Sequence, residues 1–158
     1  MERMFRQRMD FVTSPPGTEC FLCEAGSSID DEANLVLMRT DLCLIVLNRF
    51  PYNTGHLMVS PLRHAGGMEE LTASERQEVM ELSVRCLSAL KEAFDPHGFN
   101  IGANLGEAAG AGLPGHFHMH VVPRWTGDTN FMPVLANSKV LPEGLEETYR
   151  RLKPLFNS

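Results

Sequence analysis

Between residues 34 and 62 three short apolar runs are separated by turn-forming residues. "NLVLMR" (34–39) and "LCLIVLN" (42–48) flank Thr40-Asp41. "HLMVSPL" (56–62) follows "FPYNTG", where Pro51, Asn53 and Gly55 interrupt the pattern. Runs of this length, bounded by such residues, predict three strands. The period then changes. Val79, Leu82, Cys86, Leu87, Leu90 and Phe94 recur at three- and four-residue spacing, which predicts a helix over 74–94 with one apolar face. Thr72 and Glu75 have the spacing of a capping box before it, and "DPHG" ends it. "FNIGANL" (99–105) predicts a fourth strand and "HFHMHVVPR" (116–124) a fifth, with the small-residue loop "GEAAGAGLPG" (106–115) between them. "EGLEETYRRLKP" predicts a short C-terminal helix, and the section up to about Glu32 reads as loop. Strands joined by short connections, with one long helix, give an α+β class with a five-stranded antiparallel sheet.

Composition narrows the class. A chain of 158 residues suits one domain with a real core. A net charge of -6 gives no overall attraction to nucleic acid, so an anionic ligand needs a local positive or N–H-rich site. No apolar run is long enough to span a membrane. "MERMFRQRMDF" has charge with no apolar stretch behind it, so no signal peptide is expected and the expected location is the cytoplasm. Four cysteines in that setting argue against a disulfide framework. Cys43 and Cys86, each among apolar residues, are expected to be packed thiols.

The fifth predicted strand holds the candidate chemistry. Side chains alternate along a strand, so His116, His118 and His120 share one face while Phe117, Met119 and Val121 take the other. Three readings follow: a solvated polar face, a metal cluster, or a catalytic set. Neighbouring same-face positions splay apart, which weakens convergence on one ion. A neutral imidazole is a good nucleophile towards phosphorus, and a second one nearby can hold its tautomer or protonate a leaving oxygen. The loop before the strand has four glycines and three alanines in ten residues, which lets backbone N–H groups approach an anion. "CFLC" adds a second feature. Cys20 and Cys23 have the spacing of two zinc thiolates, with two buried thiols as the alternative. A redox pair would start a helix after a strand, and the sequence shows no such context.

"HFHMHVVPR" resembles the histidine-triad (HIT) signature. "VLNRFPYNTGHLMVSPLRH" is similar to that family's nucleoside-binding strand pair, and "NIGANLGEAAGAGLPGH" to its phosphate loop. "VVPRWTGDTNFMPVLANSKVLPE" resembles the tail of the bacterial branch labelled diadenosine tetraphosphate phosphorylase or HIT hydrolase. The resemblance implies a single HIT domain over 1–158, with a core at about 19–145, an N-terminal arm 1–18 and a helical tail 143–156. It implies an enzyme that cleaves a dinucleoside polyphosphate at the α-phosphate through a covalent nucleotidyl-histidine, with phosphate or water as acceptor. Alternatives are a purine nucleoside phosphoramidate hydrolase and a non-catalytic purine-nucleotide binding or signalling protein. His118 would be the nucleophile and His120 its assistant. Asn48, Asn104, Gly110, Ala111, Gly112, Leu113, His118, His120 and Trp125 would bind the nucleotide. The serine or glutamine often found in the phosphate loop is absent here, so that leaving-group contact has no counterpart. Many HIT proteins with this cysteine pair hold a structural zinc with two further histidines, which here are His64 and His116. The family pairs as homodimers through the long helix and a neighbouring strand, which implies a homodimer with no nucleic-acid or membrane partner.

Overall fold

The computed structural model describes residues 20–111, 115–129 and 141–157. The elements are α1 (Phe21–Ser27), β1 (Val36–Arg39), β2 (Cys43–Leu47), β3 (Leu57–Pro61), α2 (Ala73–Phe94), β4 (Gly98–Gly102), β5 (Met119–Arg124) and α3 (Leu145–Leu152). Short 3-10 turns lie at Met68–Glu70, Glu107–Ala109 and Lys153–Phe156. The five strands form one antiparallel sheet, as the patterning predicts, and the structure sets their order as β1-β2-β3-β5-β4.

Strand alternation gives the sheet two apolar faces. Leu37, Cys43, Ile45, Leu47, Leu57, Val59, Met119 and Val121 pack in one cluster with Val79, Leu82, Cys86, Ala89 and Leu90 of α2. Val36, Leu44, Val46 and Met58 pack in a second with Leu22 and Ala25 of α1. Cys43 and Cys86 are packed thiols, and burial pushes the Cys43 thiol up to about 12. Tyr149 and Leu152 of α3 join the larger cluster. The Tyr149 hydroxyl donates to the Val36 carbonyl at 3.1 Å. Lys153 donates to the Val36 and Leu37 carbonyls, each at 3.1 Å, and pairs with Asp31 at 3.0 Å. No helix among the described residues is long and apolar enough to cross a membrane.

Two differences from the sequence reading bear on the site, and β1 and β4 are also shorter than their apolar runs. The section read as loop contains α1, with Cys20 at its N-cap and Cys23 within its first turn. Its seven residues are too few to show a helical period, and its buried pair, Leu22 and Ala25, acquires meaning only against the sheet. The fifth strand begins at Met119, so His116 and His118 precede the ladder. They are still held against β3. The Phe117 N–H donates to the Ala65 carbonyl at 2.6 Å, and the Ser60 hydroxyl donates to the Phe117 carbonyl at 2.9 Å.

The N-terminus of α2 is fixed by the predicted capping box. Glu75 N–H donates to the Thr72 hydroxyl at 3.1 Å, and the Glu75 carboxylate accepts from Thr72 N–H at 2.7 Å. The same carboxylate takes both Nε and a terminal nitrogen of Arg63, at 3.0 and 2.8 Å, tying the segment after β3 to the helix. The Arg63 guanidinium, then the Thr72 N–H, hold the Glu75 carboxyl down to about 2, from an ordinary value near 4.5. A carboxyl lowered in the folded state stabilises fully above its unfolded pKa and loses that contribution as pH falls through its folded one. Glu75→Gln should therefore lower Tm by several degrees at pH 7, with the gap to wild type closing between about pH 4.5 and about pH 2. Thermal melts across that range check it, and a gap that stays constant down to pH 2 overturns it.

Candidate active site

The parity of the segment 116–121 arranges the site. Phe117, Met119 and Val121 enter the larger core, so His116, His118 and His120 must turn to the other face. Each histidine then meets a different environment.

His116 is buried and faces the cysteines. Its Nε2–H donates to the Pro61 carbonyl at 2.8 Å, which leaves Nδ1 as the basic nitrogen. That nitrogen lies 3.1 Å from Cys20 Sγ and 3.4 Å from Cys23 Sγ. His64 Nδ1 lies 3.3 Å from Cys23 Sγ, and the two imidazoles meet edge-on with centroids 4.9 Å apart. The four candidate ligand atoms all fall within 4.8 Å of one another. A tetrahedral zinc with ordinary Zn–S and Zn–N lengths needs S···N edges of about 3.5 Å, so the cluster fits such an ion with little closure. The second nitrogen of His116 already has the carbonyl partner that orients a metal-binding imidazole. Burial and then the neighbouring Cys20 push the Cys23 thiol up to about 11. A bound cation reverses that preference by favouring thiolate. The structure therefore brings together all four residues of the predicted metal set. It also places the cysteine pair at a helix start, which the sequence reading did not foresee.

His118 is 8 % exposed. Its Nδ1–H donates to the His116 carbonyl at 2.9 Å, so the lone pair is on Nε2. Burial lowers its pKa from the ordinary histidine value, which keeps the ring neutral at pH 7. His118 and His120 meet edge-on with centroids 4.8 Å apart.

His120 is governed by a residue the sequence reading passed over. His56 is fully buried, and its Nδ1 accepts the Tyr52 N–H at 3.0 Å. A neutral His56 must then carry its proton on Nε2, which donates to His120 Nδ1 at 2.9 Å. This chain places the His120 proton on Nε2. His56 sits at the head of β3, beside an expected strand, and a lone histidine there gives no sequence signal. Its importance comes from the pairing of β3 with β5, which brings Met58 opposite His120.

The remaining predicted residues are distributed unevenly. Asn48 follows β2, and its side-chain oxygen accepts the Phe50 N–H at 2.9 Å. Its amide nitrogen lies 3.4 Å from both ring nitrogens of His56, which places it over the ring face. Asn104 is half-buried beyond β4 and lines a cavity of about 440 Å³ with His120. Gly110 has φ +80°, a left-handed conformation that favours glycine, and ends a 3-10 turn just before half-buried Ala111. Gly112 and Leu113 lie outside the described residues. Trp125 is half-buried in a turn closed by Asp128 N–H on the Trp125 carbonyl at 3.1 Å, and it does not line that cavity.

Arg124, the cation nearest the triad in sequence, is held on both sides of its fork. Asp128 accepts from its Nε at 2.6 Å and a terminal nitrogen at 2.8 Å, and Asn100 accepts from the other at 2.6 Å. The Asp128 carboxylate also takes Asn53 at 2.7 Å and the Trp125 N–H at 3.2 Å. The Arg124 guanidinium holds the Asp128 carboxyl far below the usual carboxylate range. The turn at 125–128 is thus pinned to the hairpin that carries Tyr52 and His56.

The HIT domain family profile matches residues 31–127. The chain belongs to the HIT family. A curated relative named AP-4-A phosphorylase, from Mycobacterium tuberculosis, is 47% identical over 124 residues, covering 78% of this chain and 64% of that protein. The chain thus spans under two thirds of that relative's length. A bis(5'-adenosyl)-triphosphatase of Dictyostelium discoideum is 28% identical over 127 residues, covering 77% of this chain and 85% of that protein. Among solved structures, a zinc-bound histidine triad family protein from Mycobacterium smegmatis superposes with a TM-score of 0.68 at 26% identity. It is covered over 92% of its length, against 87% of this chain.

The tautomers of this HIT site are directly testable. Nitrogen-15 NMR at pH 7 should show His118 neutral with its proton on Nδ1, titrating below the ordinary histidine value. A His118 signal with the proton on Nε2 would remove the arrangement described.

Proposed function

We propose that this chain is a nucleotide-cleaving enzyme that opens a dinucleoside polyphosphate, such as diadenosine tetraphosphate, at the α-phosphate. The observation that carries the reading is the opposed pair of tautomers. His118 presents a bare Nε2 in a buried, neutral ring, and His120 beside it carries its proton on Nε2. One nitrogen is set to attack phosphorus and the other to donate a hydrogen bond to an oxygen where charge develops.

His118 Nε2 attacks the α-phosphorus, forming an N–P bond as the bridging P–O bond breaks. His120 Nε2–H donates a hydrogen bond to the departing oxygen, which leaves on ATP as a phosphate anion. His56, receiving the Tyr52 N–H, positions His120 for this and keeps its proton on Nε2. The acceptor then attacks the same phosphorus from the vacated side and the N–P bond breaks, returning His118 to its neutral form; with water as acceptor, the proton it sheds passes to solvent. From diadenosine tetraphosphate, water gives AMP and ATP, and inorganic phosphate gives ADP and ATP. The nucleotide is held by Asn48 at the ribose, by Asn104, and by N–H groups of the loop containing Gly110, Ala111, Gly112 and Leu113, with Trp125 as a flanking wall. The name of the mycobacterial relative favours phosphate. The pairing of Arg124 with Asp128 weakens it, because that cation is already engaged.

Cys20, Cys23, His64 and His116 would hold a structural zinc. Four protein ligands leave no open position, so the ion would add rigidity and no Lewis-acid step. Its role would be to join α1, the end of β3 and the triad segment. A homodimer is proposed on α2 and β4. Met80 and Val84 are 56% and 57% exposed one turn apart on α2, and Ile101 is 47% exposed on the edge strand β4. The reading places the protein in the cytoplasm as a single HIT domain.

His118→Ala should lower kcat by about three orders of magnitude or more while the Kd for AMP changes little, and retention of most activity sinks the mechanism. Product analysis at millimolar phosphate decides the acceptor: ADP beside ATP marks phosphorolysis, and AMP with no ADP marks hydrolysis. Metal analysis of protein purified without chelator should give one zinc per chain. Cys23→Ser should remove it and lower Tm more than it lowers turnover at a temperature where the variant stays folded. Val84→Glu should halve the mass seen by light scattering, and a wild type already monomeric at micromolar concentration overturns the dimer.

A further inference from the structure

The hydrogen bond between His56 and His120 can run in either direction. Two neutral imidazoles joined nitrogen to nitrogen make one bond whether the proton sits on His56 Nε2 or on His120 Nδ1. In the first arrangement His120 carries its own proton on Nε2 and can donate to the departing oxygen. In the second, His120 Nε2 is bare and that contact is lost. The Asn48 amide nitrogen does not choose between them, since it lies 3.4 Å from both ring nitrogens of His56. The Tyr52 N–H does choose. At 3.0 Å it occupies His56 Nδ1 and requires a lone pair there. The direction of the proton therefore follows the placing of one backbone N–H in the β2–β3 connection.

Tyr52 is followed by Asn53, and Asn53 is anchored at both its backbone and its side chain. Its backbone carbonyl accepts the His56 N–H at 3.2 Å, which closes the turn between them. Its side-chain nitrogen reaches across to the end of β5. One proton goes to the Pro123 carbonyl at 3.0 Å and the other to Asp128 Oδ2 at 2.7 Å. Asn53 is only 6% exposed, so a donor left without its partner there is costly. The same Oδ2 accepts the Arg124 Nε at 2.6 Å and the Trp125 N–H at 3.2 Å, while Oδ1 accepts a terminal nitrogen of Arg124 at 2.8 Å. The carboxylate is thus fixed by the last residue of β5, the strand that carries His120, and by the turn after it. The Arg124 guanidinium keeps that carboxyl ionised, so it accepts only, and the Asn53 amide must turn its nitrogen inwards.

We propose that Asp128 is a positioning residue for the reaction: through Asn53 it holds the Tyr52 N–H on His56, and so sets which nitrogen of His120 carries the proton. No contact with the nucleotide is required of it. Without its Oδ2, the Asn53 amide keeps one of two buried partners, the Tyr52 N–H is free to drift from His56 Nδ1, and both directions of the His56–His120 bond become populated. The inference rests on the cleavage reading above, in which His120 donates to the departing oxygen. Its proton-placing half is measurable in protein without substrate.

Asp128→Ala removes Oδ2, and nitrogen-15 NMR of the ligand-free protein at pH 7 reads the ring protons. Wild type should show His56 and His120 both protonated on Nε2. The variant should move His120 towards the form protonated on Nδ1. With diadenosine tetraphosphate its kcat should fall about tenfold while KM stays within about twofold. Asp128→Asn keeps an oxygen where Oδ2 lies, and it should restore the wild-type His120 signal and most of the lost kcat. Asn53→Ala leaves the Arg124–Asp128 pair whole and should reproduce the Asp128→Ala spectrum, which serves equally if Asp128→Ala fails to fold. Losses in the double alanine variant should not add, because the two residues act along one path. A His120 signal that stays in the Nε2-protonated form in a folded alanine variant overturns the proposal, as does a loss in Asp128→Asn equal to that in Asp128→Ala. A wild type without turnover would instead defeat the cleavage reading, with the spectra still deciding whether Asp128 places the proton.

Discussion

The structure depends on the two-residue alternation of one segment. Phe117, Met119 and Val121 must be buried under α2, and that requirement alone turns His116, His118 and His120 the opposite way. A slip of one residue would bury three imidazoles in the core and expose the apolar set. The register is therefore held by the largest favourable term in folding, the removal of apolar surface from water. Ser60 and Ala65 extend the hold beyond the ladder by fixing the Phe117 backbone, so residues without strand pairing keep strand parity.

On that base the backbone assigns protons. Each of the three imidazoles has one nitrogen committed by a fixed partner: His116 to the Pro61 carbonyl, His118 to the His116 carbonyl, and His120 to His56. Chemically identical side chains two residues apart acquire different properties because their neighbours differ. His116 offers Nδ1 to the thiols, His118 keeps Nε2 bare, and His120 keeps Nε2 protonated. Carbonyls and N–H groups of ordered backbone serve well in this role, since they do not titrate and do not rotate away.

What could be read from the sequence follows the range of the interactions. The capping box of α2 and its apolar stripe are local, and they stand as expected. The five strands could be read because each carries its own apolar run, although their ends are trimmed by pairing that the runs do not encode. The four-residue cysteine–histidine cluster was reached partly from spacing and partly from family resemblance, because His64 and His116 are far from the cysteines along the chain. Helix α1 escaped notice because seven residues carry no periodic signal. The roles of His56 and Asp128 arise from partners 64 and 75 residues away, His120 and Asn53, and such contacts exist only once the sheet is assembled.

The two edges of the sheet are treated differently. At β1 the Lys153 ammonium and the Tyr149 hydroxyl occupy main-chain carbonyls, so a foreign strand would have to displace a buried phenol and a paired cation. At β4 no further strand follows among the described residues, and the exposed side chains are apolar or amide. A body with one receptive side and one blocked side cannot propagate. If two copies meet edge to edge across a two-fold axis, each uses up the other's receptive side and growth stops there. The ammonium group at the far end of the chain thus acts as a terminator, limiting any association through the sheet to a closed pair and denying it the route to a fibre.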